Sequence, residues 1–451
     1  MKRRIWRFGR LEKALTALAL PLIVNNVLGT LMGFVDALMV GQLGEDVISA
    51  VGNSAQVQMF LFLLFAAIGQ GGSILIAQAF GAKNEEQLRR TAGTIIVSGV
   101  FIGALVGLAT WFGGTLFLQA LTLGRMPRVV ELGSKWLQVV SFSYVFLVPG
   151  NMVASVLRSV GDTKTPVFFG LTANVVNVAG NAVLIFGLLG VPAFGYLGSA
   201  WSTLGAQSLQ GLTLVLFVLS RRSKLRLTPR ELLSVDWPSL KRILVIGYPL
   251  SVDGFYWQGA RIAFTIIFNA IGSHAYAAYT IVRNLKGMST LPTQGLQSAT
   301  MILVGQELGR GNKTLARVKA YVGVRLSVVV MAVPALLVMA LAYPLVSLFR
   351  IEPQTFQDAV VCTMILGLSI FFTTINSVIP GVLRAGGDTV VVMKYTLLSF
   401  VLVGGPLAWL LGIGLGFGAI GAFLGVSLEE VFKAWLFSRR MKKGLWLKKL
   451  A

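Results

Sequence analysis

Twelve apolar runs, each separated from the next by a short polar segment, dominate the chain. They cover about residues 14–40, 50–79, 91–118, 132–157, 165–188, 195–220, 243–268, 276–305, 318–349, 356–383, 391–413 and 418–438. Each is long enough for the ~20 residues that carry a helix across a bilayer, and several leave room for tilt. Alternation of the kind that builds a membrane barrel is missing, so the runs predict helices, in which every backbone hydrogen bond closes within the span. The pattern predicts an all-α membrane protein of twelve transmembrane helices.

The runs repeat. Pro21, Gly44, Gln78, Gly81 and Asn84 return 228 positions later as Pro249, Gly272, Gln306, Gly309 and Asn312. Arg158-Ser-Val-Gly-Asp-Thr163 returns as Arg384-Ala-Gly-Gly-Asp-Thr389, and Phe194-Gly-Tyr-Leu-Gly198 as Phe417-Gly-Ala-Ile-Gly421. The expected division is an N-terminal lobe of six helices at 1–220, a basic cytoplasmic linker at 221–242, and a C-terminal lobe with a basic tail at 243–451. Six spans is an even number, so both halves enter from the same side as parallel, pseudo-symmetric lobes. Duplicated bundles of this kind are a common build of secondary transporters, with the site between the halves.

Charge fixes the expected orientation. Of the 39 Lys and Arg residues, Arg125, Arg128, Lys135 and Arg350 fall in the outer segments, and Arg261, Arg283 and Lys286 lie inside spans. The others sit at the two ends and in alternate loops, which predicts both termini in the cytoplasm and a multi-pass protein of the plasma membrane. The net charge of +22 is therefore not a nucleic-acid footprint, and no nucleic-acid partner is expected. A composition 55% hydrophobic and only 12% charged, against roughly 25% charged in a soluble domain, makes the lipid bilayer the main partner. The basic start at 1–13 imitates a signal peptide, but the apolar run behind it is too long for a signal core and carries the repeated Pro21. The single cysteine, Cys362, excludes an intramolecular disulfide and reads as a small buried hydrophobe. With His274 the only histidine, no metal site, organic cofactor or enzyme activity is expected.

Ionisable residues inside spans are the candidate chemistry, because a charge at the bilayer centre costs about 2.5–3.5 kcal/mol on insertion scales and needs a partner, a water cavity or a proton. Asp36 is the leading candidate. Asn25 lies on its face of the helix, and Asn174, Asn177 and Asn181 form one stripe on the fifth span. Gln70 and Gln207 add further amides. A carboxylate ringed by amides, with no matching base in the spans of its half, suits proton exchange; helix-to-helix bonding is the structural alternative. In the second half Asp253, Trp257 and Arg261 share a face at i, i+4, i+8, and with Arg283 and Lys286 they form an expected polar cluster. It reads either as an internal ion pair or as a second site. Glu429 and Glu430 read as solvated at the end of the last span. Arg158 with Asp162, and Arg384 with Asp388, are expected to pair across four residues and brace the cytoplasmic turns, with a structural or gating role.

At these positions the chain resembles the multidrug and toxic compound extrusion (MATE) family over about residues 14–440. The resemblance rests on Val35-Asp-Ala-Leu-Met-Val-Gly41, Gln78-Ala-Phe-Gly-Ala-Lys-Asn84, Arg158-Ser-Val-Gly-Asp-Thr-Lys-Thr-Pro166, Val304-Gly-Gln-Glu-Leu-Gly-Arg-Gly-Asn312 and Arg384-Ala-Gly-Gly-Asp-Thr389. It implies two six-helix lobes and export of amphipathic organic cations or drugs, driven by protons or sodium ions. Pro21 then matches the proline where the first helix bends, Asp36 the first-helix acid, and Asn177 and Asn181 the polar pair beside it. One prokaryotic branch has an aspartate where this chain has Asn181. Another has a glutamate and an aspartate where this chain has Trp257-Gln258 and Thr373-Thr374, so the resemblance implies no such second-lobe sodium site here.

The expected function is a cation-coupled antiporter, with protons the coupling ion and sodium the alternative, acting as a monomer by alternating access. A flippase for a lipid-linked molecule is the competing reading, for which Arg261, Arg283 and Lys286 would supply the anion-binding charge.

Overall fold

The computed structural model describes residues 2–223, 225, 227, 228, 231 and 235–450, with the backbone alone for 2–8, 10, 62–65 and 67. Of the linker expected at 221–242, residues 224, 226, 229, 230 and 232–234 lie outside this set. All regular structure among the described residues is helical. In chain order the helices are α1 (Lys2–Gly41), α2 (Glu45–Gly81), α3 (Glu85–Thr122), α4 (Pro127–Ser141), α5 (Tyr144–Ser159), α6 (Lys164–Phe186), α7 (Tyr196–Leu219) and α8 (Trp237–Ile271). There follow α9 (Ser273–Ser289), α10 (Leu291–Gly309), α11 (Lys313–Ala340), α12 (Ala342–Ser347), α13 (Pro353–Ala385), α14 (Thr389–Ser399), α15 (Gly405–Trp409) and α16 (Gly418–Lys443).

These match the twelve expected spans in order. Four spans are interrupted rather than straight. The fourth is α4 and α5, bent by 59° at Phe142–Ser143. The eighth breaks at Thr290 and the ninth at Leu341. The eleventh joins α14 to α15 through a wide π-type turn at Phe400–Gly404 and ends in a second at Leu410–Gly414. Among the described residues, seven helices qualify as spans by length and apolarity, or eight with the bent pair taken as one. Among those that fall short, α8 and α16 carry buried charge and α9 and α10 are a divided span. Large apolar side chains point outward along the bundle, Phe101, Phe112 and Leu116 on α3 among them. Such exposure fits a lipid surround.

The repeat recurs in conformation. Asn84 and Asn312 both cap a following helix, accepting from Gln87 N at 3.0 Å and from Leu315 N at 2.9 Å. Gly161 and Gly387 both take positive φ, 88° and 82°, at the turns after α5 and α13, a region that L side chains rarely enter.

The compact units are cut differently from the halves drawn at the linker. One unit is Val24–Tyr248; the other is Met1–Ile23 with Pro249–Ala451. Both divisions fall beside the repeated prolines, Pro21 inside α1 and Pro249 inside α8. Each proline removes a helical hydrogen bond and lets the two stretches of its helix follow different neighbours. Before the division in α1, Leu15 and Ala19 pack with Leu296, Ala299 and Leu303 of α10. Before the division in α8, Ile243 and Gly247 lie against Gly71 of α2. At the head of α8, Asp236 accepts from Ser239 N at 2.9 Å, and the hydrogen bond with Ser239 keeps its carboxyl below the ordinary value. In the second unit Cys362 is buried, as expected, beside Leu366, Met331 and Phe423.

In the first unit α5 and α7 touch backbone to backbone at Gly150 and Gly211. A Cβ on Gly211 would run into the Phe146 carbonyl, whereas one on Gly205 of the same helix meets nothing within 4 Å. Replacing Gly by Ala in a helix ordinarily stabilises by about 0.5–1 kcal/mol. Here overpacking of order 1–3 kcal/mol outweighs that gain. Gly211→Ala is expected to lower the thermal midpoint of the purified protein, and Gly205→Ala to hold or raise it.

Candidate functional site

The first unit encloses a cavity of about 220 Å³. Asp36 reaches it from α1, Gln58 from α2, Trp136 from α4, Asn174 and Asn177 from α6, and Thr203, Gln207 and Gln210 from α7. Asn181, fully buried one turn beyond Asn177, donates its side-chain amide N–H to Asp36 Oδ1. Asn177 donates to Ser202 Oγ at 3.3 Å and to Thr203 Oγ1 at 3.4 Å, and Gln207 accepts from Ser143 Oγ at 2.6 Å. The α6 stripe read from the sequence is therefore real, and it faces Asp36. Asn25 lies off the cavity, its Oδ1 3.3 Å from where a Cβ on Gly170 of α6 would stand. Gln70 is a correction: it is exposed, and Gln58, three turns earlier on α2, takes the place expected for it. Gln58, Trp136 and Gln210 went unsignalled. Gln207 and Gln210 at i, i+3 could have marked the α7 face.

Two hydrogen-bonding features of this cavity matter chemically. Asp36 is the one ionisable residue among those lining it, so neutral amides, a hydroxyl and an indole surround the carboxylate. Asn181 Oδ1 is buried without a hydrogen-bond partner while its NH2 serves Asp36. An amide can offer either end to a neighbour. Asn181 can thus donate to the ionised acid and, after a flip, accept from the protonated one.

The second unit corrects several expectations. Asp253 Oδ2 accepts from Arg384 Nη2 at 2.6 Å. Arg384 is thereby taken from Asp388, which accepts instead from Arg440 Nε at 2.8 Å and faces Lys448 at 3.4 Å. The matching pair in the first unit does not form either: Asp162 accepts from Thr165 N at 3.1 Å and Thr165 Oγ1 at 2.8 Å, capping α6. Thr165 and Arg440 outcompete the (i, i+4) arginines because α5 and α13 end before the turn, which points the acids away from their own helices.

The cluster expected around Asp253 dissolves as well. Arg261 is exposed, and Arg283 lies over the Tyr279 ring at 5.6 Å. Lys286 pairs at 3.0 Å with Glu430. Glu430 and Glu429, read as solvated, are 4% and 5% exposed. Glu430 also accepts from Asn376 at 2.7 Å, and Glu429 meets Lys433 at 2.9 Å. Lys433 in turn sits 4.8 Å over the Trp257 ring. Lys433 escaped the sequence reading because it sits among the basic residues that end α16.

A family model described as MatE matches residues 21–183 and again 249–410, the same 228-residue offset that relates Pro21 to Pro249. The chain belongs to the MATE family. Membership makes it a transporter by family, and the twelve-helix MATE fold accounts for the spans. A relative named "Probable multidrug resistance protein NorM", from Thermotoga maritima, is 28% identical over 440 residues, covering 97% of this chain and 94% of its own. "Uncharacterized transporter YisQ" of Bacillus subtilis is 25% identical over 461 residues, covering 100% and 99%. A solved structure described as "Crystal structure of MATE in the bent conformation" superposes with a TM-score of 0.88 over 97% of both chains. At 19% identity, that likeness carries the MATE fold alone.

The Asp253–Arg384 pair is buried on both sides, with side-chain exposures of 7% and 14%. Removing one partner of such a pair costs about 3–5 kcal/mol, and removing both costs far less. Asp253→Asn and Arg384→Met should each lower the thermal midpoint sharply. The double variant should recover much of the loss, with the coupling energy read from the mutant cycle.

Proposed function

We propose that this chain is a proton-coupled exporter of amphipathic organic cations, working by alternating access in the cytoplasmic membrane with both termini inside. The observation that carries this reading is Asp36 alone among neutral groups, held by an amide that can serve both of its protonation states. The names of the curated relatives supply the support for drug-like cargo.

The cavity of about 220 Å³ is smaller than the ~300–1,000 Å³ of drug-sized ligand pockets. In this conformation it suits a proton with water rather than a whole cargo molecule, so cargo enters only when the helices around it rearrange. A charged Asp36 attracts a cationic cargo. Protonation removes that attraction, turns the acid into a donor toward Asn181, and favours a different course of α1 beyond Pro21. The proton drives the cycle only through its differential affinity for the two conformations. Release on the acidic outer face, followed by loss of the proton to the cytoplasm, resets the carboxylate.

Vesicles holding the purified chain and a cationic dye test the coupling under a pH gradient, a sodium gradient, or neither. Efflux is expected with the pH gradient alone. Asp36→Asn should reduce it to the level of empty vesicles while the variant still inserts and keeps its thermal midpoint within a few degrees. Full efflux in Asp36→Asn removes that carboxylate from the mechanism, and efflux driven by sodium at zero pH gradient replaces the ion.

A further inference from the structure

The internal repeat maps residues in and beside the Asp36 cavity onto the second unit. The offset of 228 that relates Pro21 to Pro249 and Gly44 to Gly272 takes Asn25 to Asp253, Asp36 to Phe264 and Gln58 to Lys286. The offset of 223 that relates Phe194 to Phe417 takes Ala206 to Glu429, Gln207 to Glu430 and Gln210 to Lys433. What is an amide-lined cavity with one acid in the first unit is therefore, in the second, a set of interlocked charges with a phenylalanine at the place of the acid.

The charges balance. Asp253, Glu429 and Glu430 stand against Arg384, Lys286 and Lys433. Lys433 is the innermost base, 3% exposed, at 2.9 Å from Glu429 and 3.9 Å from Glu430. The Trp257 ring covers it. Opposite it, Gly404 in the first wide turn leaves no room for a Cβ beside Glu429 Oε2, so backbone closes on the carboxylate directly. Glu430 is held twice more, by Lys286 at 3.0 Å and Asn376 at 2.7 Å. Two adjacent buried carboxylates in a membrane protein require neutralisation, by basic side chains or by cations from solution, protons included. Here a side chain of the same helix supplies it.

We propose that Lys433 is a tethered cation. Its ammonium group, at the place of Gln210 in the first-lobe cavity, supplies from the chain the positive charge that a mobile cation supplies to Asp36, so this lobe moves through the transport cycle without binding a coupling ion. The proposal rests on the reading of Asp36 as the mobile-cation site, and the two fail differently. Failure of the Asp36 reading appears in vesicle efflux, whereas failure of the tether appears in cation binding with Asp36 already neutralised.

The consequence is a latent site. Lys433→Met keeps the length and apolar stem but removes one positive charge, leaving Glu429 and Glu430 with Lys286 alone. The vacated space beside the two carboxylates then offers the oxygen donors that a sodium ion takes. The thermal midpoint is measured during a sodium chloride titration at pH 8.5, with choline chloride holding ionic strength constant and Asp36→Asn in every variant. Asp36→Asn alone is expected to show no saturable response. Asp36→Asn with Lys433→Met is expected to show a saturable upward shift that weakens toward pH 6 as protons compete, and that disappears when Glu429→Gln is added. A folded Lys433→Met variant without a sodium response at pH 8.5 overturns the proposal. So does a saturable response in Asp36→Asn alone that Glu429→Gln removes, a result that stands even where Lys433→Met does not fold.

Discussion

Hydrocarbon cannot solvate an ionised group, and that constraint shapes both units. A carboxylate inside a span persists only with a partner, with water or with a proton. The second unit answers with partners: Asp253 with Arg384, Glu430 with Lys286 and Asn376, Glu429 with Lys433. The first unit leaves Asp36 with an amide and a small polar cavity. The second arrangement pairs each of these carboxylates with a base. The first has no countercharge among the residues that line its cavity.

The same scaffold carries both solutions because the duplicated features are those of the backbone. The helix caps at Asn84 and Asn312, the positive-φ turns at Gly161 and Gly387, and the prolines that divide α1 and α8 recur in both copies. The side chains between them have diverged: Gln207 and Gln210 stand where the second copy has Glu430 and Lys433. The shared frame thus carries different charges in its two copies. Buried ion pairs contribute little net stability relative to apolar packing, since desolvation consumes most of the Coulomb gain. In the second lobe, with the Asn376–Glu430 hydrogen bond, they hold α8, α9, α13 and α16 to one another.

Hydropathy made the helices legible, because the period and length of an apolar run are set by bilayer thickness and hold whatever the partners are. The repeat, the leading place of Asp36 and the α6 stripe of Asn174, Asn177 and Asn181 were legible for a related reason: a polar residue in a long apolar run stands out against its neighbours. Ion-pair partners were not. Arg158 and Arg384 lie four residues from acids, which by helical spacing predicts pairing. The helices end before those acids, and the pairs form with Thr165, Asp253 and Arg440 instead.

Length, apolarity and the spacing of the duplicated motifs depend on the chain alone, and they determined an all-helical membrane protein built twice over with an acid in its first span. The tertiary structure decided which carboxylates are neutralised. That Glu429 and Glu430 are enclosed rather than solvated, that Lys433 lies between them and Trp257, and that Gln58 rather than Gln70 faces Asp36 follow from how separate helices rotate against one another. Local periodicity gives the faces of a helix, and packing chooses which face meets which.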